Sequence, residues 1–128
     1  MRRAAVLLAD DHPMICAALR KMLEADLDVI GFVQDGRALV KTALHLKPDL
    51  VVLDVGLPLM NGLDAGRQLK ENLPGIKLVF LTMNRDPDIA REAFRIGASA
   101  YVFKDAMGEE LLPAIQNALN EHQQRTSI

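Results

Sequence analysis

Strand-length apolar segments alternate with amphipathic segments along this 128-residue chain, and no other feature constrains its fold as strongly. The apolar segments cover residues 4–9, 28–33, 49–53, 76–81 and 100–103. Between them, apolar residues recur at helical spacing over residues 13–25, 37–46, 63–72, 87–96 and 109–122. The pattern predicts five β-strands that alternate with five α-helices.

The strand segments are apolar at almost every position, as in AAVLLA and DLVVL. Such strands are buried on both faces, which is typical of a parallel sheet covered by helices on each side. Right-handed crossovers then produce a doubly wound α/β fold, and five strands suit the flavodoxin-like order 2-1-3-4-5. We therefore expect a single domain of this architecture.

For the first and the last helix, the sequence makes further predictions about where the helix begins, how regular it is and which face is buried. The first helix starts at Pro13, since proline suits the first helical position. Its spacing predicts an inward stripe of Ile15, Ala18, Leu19, Met22 and Leu23, with Cys16 at the edge of the stripe in a structural or neutral role. In the last helix, Pro113 removes a backbone hydrogen bond, so we expect residues 107–112 to be irregular.

The fourth helix allows two orientations. In one, Ala90, Ala93, Phe94 and Gly97 face the sheet. Ile89 and Ile96 then point toward solvent as an apolar patch for an intramolecular contact or a homodimer. In the other, the helix is rotated and both isoleucines are core residues.

Charge and composition exclude several functions. There are 15 basic and 17 acidic residues, a net charge of −2, and this argues against direct nucleic-acid binding by these residues. No apolar segment approaches the ~20 residues that a membrane span needs. The single cysteine, Cys16, excludes an internal disulfide framework and a zinc cluster. We expect a cytoplasmic protein without a membrane partner.

Acidic, hydroxyl or ammonium side chains mark the predicted carboxyl ends of four strands. In an open parallel sheet these ends form one rim, where ligands bind. A single acidic residue at a strand end is usually a turn or helix-cap residue. Five polar residues on one rim instead indicate a site, and they are Asp10, Asp11, Asp54, Thr82 and Lys104.

The chemistry of this set is coherent. Three carboxylates close together repel one another unless a cation lies among them, and a site with oxygen ligands suits Mg²⁺ rather than Zn²⁺. A carboxylate can also attack phosphorus to form an aspartyl phosphate. The oxygens of a phosphoryl group pair well with Mg²⁺, an ammonium group and a hydroxyl group.

These five residues, with the segments DDHP, LPLMNGLDA, LTMN and YVFKDA, resemble the receiver domain of bacterial two-component response regulators. The segments are most similar to the subfamily with a C-terminal helix-turn-helix DNA-binding domain. The resemblance runs from Val6 to about Leu119. It implies a CheY-like signalling domain that is phosphorylated by a sensor histidine kinase and controls transcription. Such a domain catalyses only its own phosphorylation and dephosphorylation.

The resemblance also implies a metal site and a phosphoacceptor. Asp54 matches the aspartate that accepts the phosphoryl group. Asp11 would bind Mg²⁺ directly and Asp10 through water. The carbonyl of Gly56 takes the family's remaining metal-ligand position.

The other matching residues would contact the phosphoryl group or form a switch. Lys104 would pair with one phosphoryl oxygen and Thr82 would donate to another, with Tyr101 as the aromatic partner of Thr82. The chain departs from the family pattern in two places. Asp105 follows Lys104 where proline is common, and Met83 stands where small residues are common and would narrow access to the acceptor.

Other functions remain as alternatives at this point. The chain would also suit a stand-alone receiver that acts by protein–protein contact. A phosphatase of the haloacid dehalogenase type would carry a general-acid aspartate two residues after its nucleophile, and here that position is Gly56. An FMN binder would need a phosphate loop in place of the acidic DDHP segment.

The domain boundary follows from the polar C-terminal residues. We expect residues 1–122 to form the receiver domain. Residues 123–128 would be a polar tail or the start of a linker to an output domain.

Overall fold

A computed structural model describes residues 2–126, with side chains described through residue 121. The strands are β1 (Ala5–Ala9), β2 (Asp28–Val33), β3 (Leu50–Leu53), β4 (Lys77–Thr82) and β5 (Ala100–Phe103). The helices are α1 (Pro13–Leu23), α2 (Gly36–Leu46), α3 (Gly62–Asn72), α4 (Pro87–Arg95) and α5 (Met107–Thr126). The sheet order β2-β1-β3-β4-β5 and the parallel pairing of every neighbour confirm the predicted fold.

The sheet separates two hydrophobic cores. On one face, residues such as Leu7, Val51 and Phe80 pack against α2, α3 and α4. On the other face, residues such as Leu8 and Val79 pack against α1 and α5. Alternate residues of each strand therefore enter opposite cores, which explains why the strands are apolar throughout.

Helices α2, α3 and α4 each begin at a residue whose side chain caps the helix. The side chains of Asp35, Asn61 and Asp86 accept hydrogen bonds from backbone N–H groups in the first turns of α2, α3 and α4. Proline occupies the start of α1 and α4, where no N–H partner is needed. These caps fix the loops that carry the polar rim.

Helix α4 has the rotated orientation. Ala93 is fully buried, and Ile89 and Ile96 pack against the core below α2, α3 and α4. Phe94 is 50% exposed and Gly97 lies beyond the helix, at φ 111°. The predicted stripe through Phe94 and Gly97 is therefore wrong, and Ile89 and Ile96 do not form a solvent-facing patch. Two isoleucines bury more apolar area than one phenylalanine and a glycine.

Two smaller expectations also need correction. In α1, Ala18 is exposed and Cys16 is buried, so the inward stripe is shifted by part of a turn. Helix α5 is continuous from Met107, and the irregular turn precedes it as a 3₁₀ segment over Lys104–Ala106. Buried Leu111 and Ile115 hold the helix to the sheet on either side of Pro113. Their burial offsets the backbone bond that Pro113 cannot make.

Helix α5 was predicted to end at residue 122, and in the structure it continues to Thr126. Residues 127–128 of the expected tail lie outside the described residues. Across residues 2–126, no helix combines the length and apolar character needed to span a membrane.

Candidate functional site

Strand pairing places the five predicted polar residues on one rim. Asp10 follows β1 and Asp54 follows β3, and these strands are neighbours with Ala9 opposite Leu53. The N–H of Asp54 donates to the carbonyl of Ala9 at 3.1 Å, which ties the two strand ends together. Lys104 follows Phe103, the register partner of Thr82 at the end of β4. Residues as far apart as Asp10 and Lys104 thus become neighbours.

Lys104 bridges two of the carboxylates. Its Nζ lies 2.7 Å from Oδ2 of Asp10 and 2.9 Å from Oδ2 of Asp54. All three residues are buried, with 8%, 2% and 7% exposure in that order. Burial by itself lowers the pKa of Lys104, but its hydrogen bonds to Asp10 and Asp54 outweigh that effect and raise the pKa above 10.5. The ammonium group therefore stays charged and compensates part of the buried negative charge.

The loop after β3 shapes the surroundings of Asp54. Oδ1 of Asp54 accepts a hydrogen bond from the N–H of Gly56 at 3.2 Å. The N–H of Gly62 donates to the carbonyl of Val55 at 2.8 Å, which brings the start of α3 against the end of β3. A Cβ atom at Gly62 would lie 2.0 Å from the carbonyl oxygen of Asp54, so only glycine fits there.

Four side chains form a cluster with metal-ligand character. Asp10, Asp11, His12 and Asp54 each offer a ligand atom, and these atoms lie within 4.8 Å of one another. Three of the four were predicted from the sequence. For His12 the sequence allows two positions, a cap of the first helix or a place facing the acidic rim, and the DDHP segment puts it directly after the two aspartates. Its ring contacts the acidic rim, and its side chain does not cap α1.

An open hollow of about 410 Å³ lies over Asp54. The predicted residues that line it are Asp11, Asp54, Gly56, Thr82 and Lys104. Met83 also lines this hollow and is 68% exposed, so it stands at the entrance. Asp105, the other departure from the family pattern, forms an ion pair with Arg85.

Thr82 and Tyr101 both contact Asn84, the second residue after β4. The N–H of Asn84 donates to Oγ1 of Thr82 at 3.2 Å, and the hydroxyl group of Tyr101 donates to the carbonyl of Asn84 at 3.0 Å. The Tyr101 ring lies between Phe80 and Phe103, with centroid distances of 6.2 and 5.9 Å. Burial, and then the negative charge of Asp54, raise the pKa of Tyr101. The two predicted switch residues are thus linked through one backbone unit.

Comparison with known proteins identifies the family. The response regulator receiver domain family matches residues 6–116 of this chain. The nitrate/nitrite response regulator protein NarL of Escherichia coli strain K12 is 36% identical over 118 residues, which is 90% of this chain and 54% of that protein. The uncharacterized transcriptional regulatory protein YxjL of Bacillus subtilis strain 168 is 36% identical over 115 residues, covering 88% of this chain and 53% of that protein.

Solved structures agree with this assignment. The two-component response regulator of the LuxR family from Aurantimonas sp. SI85-9A1 has a TM-score of 0.87 and 30% identity, over 92% of this chain and 86% of that one. The isolated receiver domain of RcsB from Salmonella enterica serovar Typhimurium, with the phosphomimetic BeF₃⁻, has a TM-score of 0.80 and 26% identity. The match covers 91% of this chain and 90% of that one.

The chain belongs to the response regulator receiver domain family. It is similar to receiver domains of the LuxR and NarL type. Members of this family are signalling proteins and not classical enzymes. The chain spans about half the length of the curated relatives it matches.

Proposed function

We propose that this chain is a phosphorylation-switched receiver whose Asp54 accepts the phosphoryl group. One observation carries the proposal. The Asp54 carboxylate lies at the end of a central strand, 2.9 Å from the Lys104 ammonium group and in the wall of an open hollow that Thr82 also lines. A buried, ionised carboxylate with a cation at hand is suited to nucleophilic attack on phosphorus.

The transfer involves one bond formed and one broken. An oxygen of Asp54 bonds to the phosphorus of a phosphohistidine on a sensor histidine kinase, and the phosphorus–nitrogen bond breaks. The bonding electrons return to the histidine nitrogen of the kinase. Lys104 then pairs with a phosphoryl oxygen, and the Thr82 hydroxyl group donates to another. No protein general base is needed, because the Asp54 carboxylate has no proton to lose.

The donor set fits Mg²⁺. Asp10, Asp11 and Asp54 offer carboxylate oxygens, which this ion prefers. Because Asp11 is exposed, solvent would supply the remaining ligands of the ion. We assign these three residues and the Gly56 carbonyl as its ligands. When bound, the ion supplies positive charge that offsets the negative charge of the carboxylates and the phosphoryl group.

Turnover by a phosphatase mechanism is not favoured. Gly56 stands where a haloacid dehalogenase-type enzyme would carry its general acid. We infer that the domain promotes only its own phosphorylation and dephosphorylation, and that a phosphoryl group once transferred serves as a signal.

The signal would pass through Thr82 and Tyr101. A phosphoryl group on Asp54 adds about −1.5 to −2 charge, which attracts the Thr82 hydroxyl group. Because Asn84 contacts both Thr82 and Tyr101, a shift of Thr82 changes the hydrogen bond that holds Tyr101. The surface of α4 and β5 then reports the state of Asp54.

The output is transcription control through a C-terminal DNA-binding domain. The relatives of this chain include transcriptional regulatory proteins, and the chain matches about half of their length. Residues 1–122 would form the receiver, and the residues after them would lead to the output domain. A phosphorylation-dependent homodimer is consistent with this role, and binding of DNA would belong to the output domain.

The test measures intact mass after incubation with acetyl phosphate and Mg²⁺. Wild type and Asp26→Asn, which changes an exposed aspartate on the loop before β2, gain one phosphoryl group. Asp54→Asn gains none, because the amide is not a nucleophile toward phosphorus. Equal phosphorylation of Asp54→Asn would show that another residue is the acceptor.

A further inference from the structure

We propose that His12 competes with a divalent cation for the carboxylates of Asp10 and Asp11, and that it thereby sets the affinity of the site for Mg²⁺. The inference rests on the proposed function, since it takes the same acidic cluster as the site that binds the ion. His12 would be a positioning residue that stabilises the cation-free site and leaves when the ion binds.

The ring of His12 contacts oxygens of two carboxylates that would hold the cation. Its Nδ1 is 2.8 Å from Oδ1 of Asp10 and 3.1 Å from Oδ1 of Asp11. The backbone N–H of His12 also donates to Oδ1 of Asp10, at 2.9 Å. A divalent ion held by Asp10 and Asp11 would draw on the carboxylate oxygens that Nδ1 now contacts.

The neighbours of Nδ1 indicate where its proton lies. Nζ of Lys104 is 3.4 Å away and is already paired with Oδ2 of Asp10. If Nδ1 accepted a hydrogen bond from Lys104, its lone pair would face two carboxylate oxygens. As a donor it has two acceptors within hydrogen-bond distance, so we place the proton on Nδ1. With Nδ1 as the donor to both carboxylates, His12 in this position competes with the ion for their oxygens.

His12 has room to leave this position. Its side chain is 60% exposed and makes no capping hydrogen bond to α1. It borders a second hollow of about 310 Å³, lined also by Ile15, Met83, Lys104 and Asp105. Rotation of the side chain would therefore remove the Nδ1 contacts with both carboxylates, while the backbone of α1 and the hydrogen bond from the His12 N–H to Asp10 stay in place.

The first experiment compares Mg²⁺ affinity by isothermal titration calorimetry for wild type, His12→Phe and His45→Phe. Phenylalanine keeps a ring but has no N–H donor, and His45 is an exposed histidine on α2 that serves as the matched control. We expect His12→Phe to bind Mg²⁺ about five- to tenfold more tightly, because the ion no longer displaces hydrogen bonds to charged oxygens. His45→Phe should match wild type.

Two results would overturn the inference. Weaker binding by His12→Phe would make His12 a metal ligand, and equal binding by all three proteins would make it a bystander. Absence of Mg²⁺ binding to wild type and variants alike would overturn the proposed function as well, so the two failures are distinguishable.

A second experiment separates competition from a merely structural role. Competition lowers the Tm of His12→Phe without Mg²⁺ and leaves it equal to wild type at saturating Mg²⁺. A structural role lowers the Tm by the same amount in both conditions, and that result would contradict the inference. In wild type, the hydrogen-bonded Nδ1–H signal of His12 in ¹⁵N NMR spectra should disappear as Mg²⁺ is added.

Discussion

The Lys104 ammonium nitrogen lies 2.9 Å from Oδ2 of Asp54, although the two residues are 50 positions apart in the chain. The same nitrogen is 2.7 Å from Oδ2 of Asp10. One buried cation therefore joins the ends of β1, β3 and β5 at the point where the proposed phosphoryl transfer occurs. Its position depends on strand order, since β5 is the outer strand and only a long side chain reaches the centre of the rim.

Replacing this cation should slow the proposed chemistry. Lys104→Met keeps the length of the side chain and removes its charge, so the charge on the transferred phosphoryl group loses a partner. We expect phosphorylation by acetyl phosphate to fall by about a hundredfold, as measured by the rate of mass gain. Lys41→Met, at an exposed position on α2, should react like wild type. An unchanged rate for Lys104→Met at pH 7 would remove Lys104 from the mechanism.

Thr82 should be needed for the response and not for the phosphoryl transfer. Thr82→Ala lacks the oxygen that accepts from the N–H of Asn84, and the link to Tyr101 is cut. We expect the variant to bind beryllofluoride, while chemical shift changes around Tyr101 in ¹H–¹⁵N spectra fall well below those of wild type. Shifts as large as in wild type would mean that the signal takes another route.

Glycine at position 62 should be required for the site to form. A Cβ atom there would overlap the carbonyl oxygen of Asp54, which cannot move without disturbing β3. Gly62→Ala should lower the free energy of unfolding by about 3 kcal/mol and reduce phosphorylation as well. Gly75→Ala is the matched control, because nothing lies within 4 Å of its added Cβ atom. If urea denaturation gave equal stability for Gly62→Ala and Gly75→Ala, the predicted overlap with the carbonyl oxygen of Asp54 would be contradicted.

The orientation of α4 can be tested with substitutions at Phe94, in its last turn, and at Ile96, which directly follows the helix. Ile96 packs against the core, whereas Phe94 is 50% exposed. Ile96→Lys should therefore lower the free energy of unfolding by about 2 kcal/mol or more, because it places a charge against apolar side chains. Phe94→Lys should change it by no more than about 0.5 kcal/mol. If urea denaturation instead showed a larger loss of stability for Phe94→Lys than for Ile96→Lys, the side chain of Ile96 would have to face solvent.

Acid should weaken the fold partly through Asp49. The Arg2 guanidinium donates two hydrogen bonds to this carboxylate, and with a further bond from the N–H of Ala5 they hold the pKa of Asp49 below 3.8. A depressed pKa means stability that is present above pH 3.8 and is lost as the pH falls through the lower folded value. Asp49→Asn should therefore lose less stability than wild type as the pH falls from 4 to 2.5. Asp26→Asn should follow wild type, and parallel curves for all three proteins would refute the role of Asp49.

The sequence by itself determined the order of the elements and the location of the site. Strands buried on both faces must be apolar throughout, so their segments stood out from the amphipathic helices. Parallel strands of a doubly wound sheet bring their carboxyl ends to one rim, so Asp10, Asp54, Thr82 and Lys104 could be placed together from their positions at the ends of four strands. Both conclusions depend on local pattern and on a general property of the fold.

Only the tertiary structure decided which face of α4 is buried and where the His12 ring lies. Ile89, Ala93 and Ile96 follow helical spacing as well as Ala90, Ala93, Phe94 and Gly97 do, so periodicity could not choose between the two stripes. The choice depends on which side chains fill the space over the sheet, and the two isoleucines fill it. Likewise, His12 could have capped α1, but the carboxylates of Asp10 and Asp11, which lie beside its Nδ1, hold the ring on the acidic rim. Competition of this kind between neighbouring contacts is settled by three-dimensional packing and charge, which no spacing along the chain encodes.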